Sequence, residues 1–157
     1  MQKIIHTQIQ NLPVKKILIV GFPGSGKSTL ALELASNFKL EYIEADKYFW
    51  KAHGEQVSEK EFLKSIEDKL AQTSEWIFEG HFKTCHSIVL KEATLVIEIK
   101  KWFWSSFWDY SKRELKRNDV LWRHKISKLL FVPMNTVRIQ NTRKEALANY
   151  KGPVITI

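Results

Sequence analysis

Gly21-Phe22-Pro23-Gly24-Ser25-Gly26-Lys27-Ser28 fits the spacing G-x-x-x-x-G-K-[ST], a phosphate-binding loop that works only between a strand and the start of a helix. Both neighbours are present. Lys15-Lys16-Ile17-Leu18-Ile19-Val20 reads as a short buried strand, and Ser28 to Phe38 carries apolar residues at helical spacing. Strand, glycine loop and helix in this order point to an α/β fold with ligands at strand ends.

The residue types dictate the chemistry of the loop. Gly21, Gly24 and Gly26 allow successive N–H groups to turn inward and form a nest for phosphate oxygens, with Pro23 and Ser25 between them. Lys27 has the reach to meet the β- and γ-phosphates, the Ser28 hydroxyl is the expected Mg²⁺ ligand, and Thr29 continues the pattern into the helix. The expected cofactors are therefore ATP and Mg²⁺.

The chain has 157 residues and 44% hydrophobic content, which suits one domain, 1–157, with a sizeable core. Its most apolar region, 95–108, is broken by Glu98, Lys100 and Lys101, so no bilayer span or membrane partner is expected. The first residues lack the apolar core of a signal peptide, and Cys85 is the single cysteine; a cytoplasmic location is the expectation. Charge is uneven: residues 1–99 hold 12 basic against 13 acidic side chains, and residues 100–157 hold 13 against 4. That basic second half suits a polyanionic nucleotide, a solvated face or nucleic acid, and charge alone does not separate these. The oligomeric state has no signature in the sequence.

Further strands are predicted at 40–44, 76–79, 94–99 and 153–157, with a polar loop over 46–56. Ser58-Glu59-Lys60-Glu61 is a capping box, so a helix starts there, and helical patterns fill most of 102–150. The alternation gives a five-stranded parallel sheet covered by helices on both faces, the three-layer arrangement of P-loop NTPases.

Strand ends then supply the candidate site. Asp46 follows the second strand, placed to accept a proton from an acceptor hydroxyl or to hold Mg²⁺ through water; Trp50 either flanks a planar substrate or packs into the core. Glu79 ends the third strand, where a carboxylate beside the loop steadies the Mg²⁺ shell, and Gly80 lets backbone approach a substrate. His81 is a substrate contact or plain surface. Together with Cys85 and His86 it makes a poor zinc set, and Cys85 reads as a small packed residue. Phe103, Trp104, Phe107 and Trp108 cover one helix flank, while Arg113 and Arg117 are the guanidinium pair expected to clamp a transferring phosphoryl group, with Arg123 and Arg143 in reserve.

These residues resemble a group of small bacterial P-loop kinases related to adenylate kinase, known as DNA topology modulation proteins. The resemblance rests on Gly21 to Thr29, on Asp46 followed by Trp50, on Trp76-Ile77-Phe78-Glu79-Gly80-His81-Phe82, and on the basic Lys112-Arg113 helix. Asn141-Thr142-Arg143, leading to Val154 and Ile155, is similar to the group's closing helix and strand. The resemblance implies an adenylate-kinase-like sheet, ATP with Mg²⁺ as donor, and an acceptor held among Asp46, Gly80, His81 and mobile arginines. Departures are plain. Glu79-Gly80-His81-Phe82 stands where the group has Asp-Gly-Asn-Tyr, and Glu98-Ile99-Lys100-Lys101 where it has Asp-x-Pro-Arg. Only Asn118 and Asp119 separate Arg117 from the next apolar run, so a reduced lid is expected. Adenylate kinases place part of their adenine contact just past the last strand, where this chain ends at Ile157; incomplete base recognition and a shortened chain are both open readings.

The function expected from the sequence is transfer of the γ-phosphoryl of ATP to a small acceptor, a nucleotide or nucleoside. The rivals are a nucleotide-binding regulatory or DNA-associated protein with weak ATPase activity, and a small-metabolite kinase of the shikimate or gluconate kind.

Overall fold

The computed structural model describes residues 2–50, 55–80, 83–100, 111–112, 141, 144–145 and 147–157. His81, Arg113, Arg117, Arg123 and Arg143, the aromatic run from 102 to 108 and the expected lid region lie outside the described residues.

The elements follow in the order α1 (Gln2–Gln10), β1 (Lys16–Gly21), α2 (Lys27–Phe38), β2 (Glu41–Glu44), α3 (Ala45–Phe49), α4 (Glu59–Ala71), β3 (Trp76–Glu79), α5 (Lys83–Glu92), β4 (Leu95–Ile99) and β5 (Val154–Thr156). The five strands form one sheet in the order β2-β3-β1-β4-β5, and every pairing is parallel. Two corrections to the sequence reading arise here. The loop expected over 46–56 begins inside α3 instead, and Trp50 then pairs as an antiparallel bridge with Gln56. Helix α1 was not anticipated, although Ile5 and Ile9, one turn apart, both bury fully enough to anchor it.

A parallel sheet buried on both faces needs apolar side chains in both phases of the strand. β1 supplies them: Ile17 and Ile19 join Ile5 and Ile9 of α1 and Ala31 and Leu34 of α2 on one face. Leu18 and Val20 face the opposite way, against Phe62, Ile66 and Leu70 of α4 and Cys85 and Val89 of α5. The result is a three-layer α/β fold of the P-loop NTPase type, with β1 in the middle of its sheet.

Local signals set the boundaries. Ser58 caps α4 by accepting from the Glu61 N–H at 3.3 Å, while the Glu61 carboxylate accepts from the Ser58 N–H at 3.1 Å. Lys39 ends α2 in the left-handed conformation, its N–H donating back to Ala35. Since β1 runs on to β2 and β4 to β5 on the other side, a crevice is expected above the carboxyl ends of β1 and β4. No helix among the described residues is long and apolar enough to cross a membrane.

Candidate active site

The loop after β1 is shaped by its glycines. Gly24 and Gly26 take φ values of 77° and 96°, a region that costs an L-residue energy and leaves glycine free. Gly26 is also the residue before α2, whose N-terminus carries no side-chain cap and no acidic residue in its first turn. Helix α4, by contrast, is closed by its capping box. An uncapped, acid-free helix start keeps its N–H groups and its positive end for an anion.

Inside the loop, Lys27 is only 7% exposed, and its ammonium donates to the Phe22 carbonyl at 2.9 Å. The Ser25 N–H donates to the same carbonyl at 3.1 Å. Ser25 Oγ is buried with no hydrogen-bond partner. A buried hydroxyl without a partner is costly in a finished fold, and a phosphate oxygen is the acceptor such a loop would offer it. Pro23 is buried, and Thr29 is exposed on the first turn of α2.

Glu79 meets the loop from β3. Ser28 Oγ donates to Glu79 Oε1 at 3.0 Å, and the Tyr42 hydroxyl of β2 donates to the same oxygen at 3.2 Å. Glu79 is 6% exposed. Burial, followed by the charges of Glu79 and Glu44, pushes the Tyr42 phenol well above its ordinary value, so Tyr42 is a donor throughout the neutral range. Hydroxyl beside carboxylate is the oxygen donor set that a hard dication takes. The residues present therefore fit both a triphosphate and Mg²⁺.

Register brings the acceptor candidates to the same end of the sheet. β2 and β3 pair with Glu44 opposite Glu79, so Asp46, in the first turn of α3, follows closely beyond that rung and is exposed. Gly80, with φ 156°, lies so close to α3 that a Cβ there would stand 2.5 Å from the Ala45 Cβ. Trp50 is 41% exposed and stands edge-on to Phe49, whose ring packs in turn on Phe62. At that exposure Trp50 is not packed into the core. His86 supports this end from α5: its Nε2 lies 3.2 Å from the Gly80 carbonyl, and burial pushes its imidazole below the ordinary value. Among the described residues no three His, Cys, Asp or Glu side chains gather as a metal-binding group.

Of the expected site residues, the structure joins Ser28 to Glu79 by a hydrogen bond, with Lys27 turned into the same loop. Sequence reasoning missed Tyr42, whose signal was the alternation Tyr42-Ile43-Glu44 that turns Tyr42 towards α2, and it missed the support His86 gives to Gly80.

A family model described as NB-ARC domain matches residues 1–102. Among solved structures, a gluconokinase from Sinorhizobium meliloti 1021 is similar, with 16% identity and a TM-score of 0.49 over 85% of this chain and 90% of that one. No curated protein sequence matches.

Proposed function

This chain belongs to the NB-ARC domain family, and from that premise we propose that it binds a nucleoside triphosphate on the Gly21–Ser28 loop; on the resemblance of its residues to small P-loop kinases, we propose further that it passes the γ-phosphoryl group to a small acceptor, a nucleotide or nucleoside. The observation that carries the reading is the Ser28–Glu79 hydrogen bond at 3.0 Å, beside a loop that already holds Lys27 inward. A Mg²⁺ ion held by Ser28, with Glu79 behind it, would neutralise charge on the β- and γ-phosphate oxygens.

The chain's own groups do the rest. Lys27 and the loop amides fix the donor, so that the acceptor oxygen meets the γ-phosphorus in line with the bond to the β–γ bridging oxygen. That bond breaks as the new one forms, leaving a nucleoside diphosphate. With a nucleoside acceptor, Asp46 takes the proton from the attacking hydroxyl; a nucleotide acceptor attacks through an ionised phosphate oxygen and has no such proton to lose. Gly80, lacking a side chain, lets Ala45 of α3 pack against the end of β3, which sets Asp46 beside the acceptor, and Trp50 offers it a flat apolar surface. His81 belongs beside Gly80 in this reading, and Arg113 and Arg117 cap the transferring charge. The resemblance to small adenylate-kinase-related kinases supports the choice of acceptor class.

The test is ADP release from Mg·ATP by the chain alone, then with nucleoside monophosphates, nucleosides and hydroxylated metabolites. Stimulation by nucleotides or nucleosides is the expected result. Stimulation only by a sugar acid or another metabolite would move the chain to the small-metabolite kinases. Binding of ATP with no acceptor effect, together with salt-sensitive DNA binding, would make it a nucleotide-dependent regulatory protein.

A further inference from the structure

We propose that Tyr42 is a positioning residue that holds the Glu79 carboxylate against the phosphate loop, so that the Mg²⁺ dependence of nucleotide binding rests on its hydroxyl. The inference rests on reading the loop as a Mg·nucleotide site.

Three observations carry it. First, the parallel pairing of β2 with β3 sets Tyr42 opposite Ile77 and Glu44 opposite Glu79, and the Tyr42 ring packs with the apolar cluster on the α2 side of the sheet. The ring is thus fixed by strand register and packing, and its hydroxyl extends one rung further to Glu79. Second, Tyr42 and Ser28 donate to one and the same oxygen, Oε1, at 3.2 and 3.0 Å; among the described residues Oε2 receives no donor. A carboxylate has about four acceptor positions, so Glu79 keeps capacity for a further positive partner while one oxygen is anchored. Third, Lys47 Nζ sits 5.6 Å from the Tyr42 ring centroid and pairs with Glu44 at 3.3 Å, so a cation borders the ring.

The two donors have different futures. Ser28 stands in the loop, and a metal would claim a lone pair of its oxygen, so its hydroxyl must orient to the metal and to Glu79 at once. Tyr42 stands on a strand and has no such competing duty. Its hydroxyl keeps the buried carboxylate from turning away while Ser28 serves both partners. Partners of this kind, which orient a metal-site carboxylate without touching the metal, are worth about tenfold or more in metal affinity.

The experiment is calorimetric binding of a non-hydrolysable ATP analogue to the full chain, in EDTA and in Mg²⁺, for the unmodified protein, Tyr42→Phe, Glu79→Gln and the double variant. Tyr42→Phe is expected to bind as the unmodified chain does in EDTA and to lose about tenfold of the tightening that Mg²⁺ brings. In the Glu79→Gln background the same substitution is expected to change nothing further, because its effect passes through that carboxylate. Tyr42→Phe binding with the full Mg²⁺ effect overturns the inference and leaves the proposed function standing. So does an equal loss in EDTA and Mg²⁺, which marks a merely structural tyrosine, or a loss that adds to that of Glu79→Gln. No nucleotide binding by the unmodified chain overturns the proposed function and this inference with it.

Discussion

Lys27 reaches back along its own loop and donates its ammonium proton to the Phe22 carbonyl, 2.9 Å away. The loop is therefore closed around its lysine before any nucleotide arrives, and little rearrangement is needed to exchange a carbonyl oxygen for a phosphate oxygen. Lys27→Ala is expected to leave the far-ultraviolet circular dichroism unchanged and to lower turnover of Mg·ATP by roughly 10²–10³-fold, the scale for removing one fixed stabilising group from a developing negative charge. Full activity in a folded Lys27→Ala chain would contradict the assignment of the loop.

Gly80 and Ala45 test the joint between β3 and α3. An added Cβ at Gly80 would stand 2.5 Å from that of Ala45, on a backbone with φ 156°. Gly80→Ala should cost about 1–3 kcal/mol in urea unfolding, as overpacking in a tight interior does. Adding Ala45→Gly removes the clash and should recover part of that loss, leaving the backbone share. Equal stability of Gly80→Ala and the unmodified chain would show that the joint yields.

How far the sequence could be read depended on how local the cause was. The strand-loop-helix unit around Gly21–Ser28 and the α4 start at Ser58 are set by residues within one or two turns of each other, and both stand where the pattern put them. Helix α3 is only Ala45–Phe49, with a single fully buried side chain, so no apolar period was long enough to reveal it. Glu79 was legible as a strand end. Its partner Tyr42 was not, because 37 residues separate them and the contact depends on β2 lying beside β3, which no short-range pattern specifies.

His86 gives the chain a pH dependence with a definite sign. Burial holds its imidazole below the ordinary 6.5, with the Gly80 carbonyl opposing. The folded chain thus prefers neutral His86, and the unfolded chain takes up the proton first as the pH falls. Its contribution is complete above the unfolded value and is lost as the pH drops towards the folded one. Urea midpoints at about pH 7.5 and about pH 5.5 bracket that window. His86→Gln, which can still donate to Gly80, is expected to flatten the decline between them; an unchanged slope would contradict this origin.

Cys85 is buried in the core on α5, and burial pushes its thiol up to about 12. Thiolate is the reactive form, so the native chain should resist a disulfide reagent at neutral pH and react once unfolded in denaturant. Rapid native reaction would show that α5 opens readily.

The most direct test of the central claim is to follow ATP by phosphorus NMR with the unmodified chain, Mg²⁺ and a mixture of nucleoside monophosphates and nucleosides. ADP and a newly phosphorylated acceptor appearing in equal amounts, with both formed roughly 10²–10³-fold more slowly by Lys27→Ala, is the expected result. ADP accompanied only by inorganic phosphate, or ATP left unconsumed, would contradict phosphoryl transfer to such an acceptor.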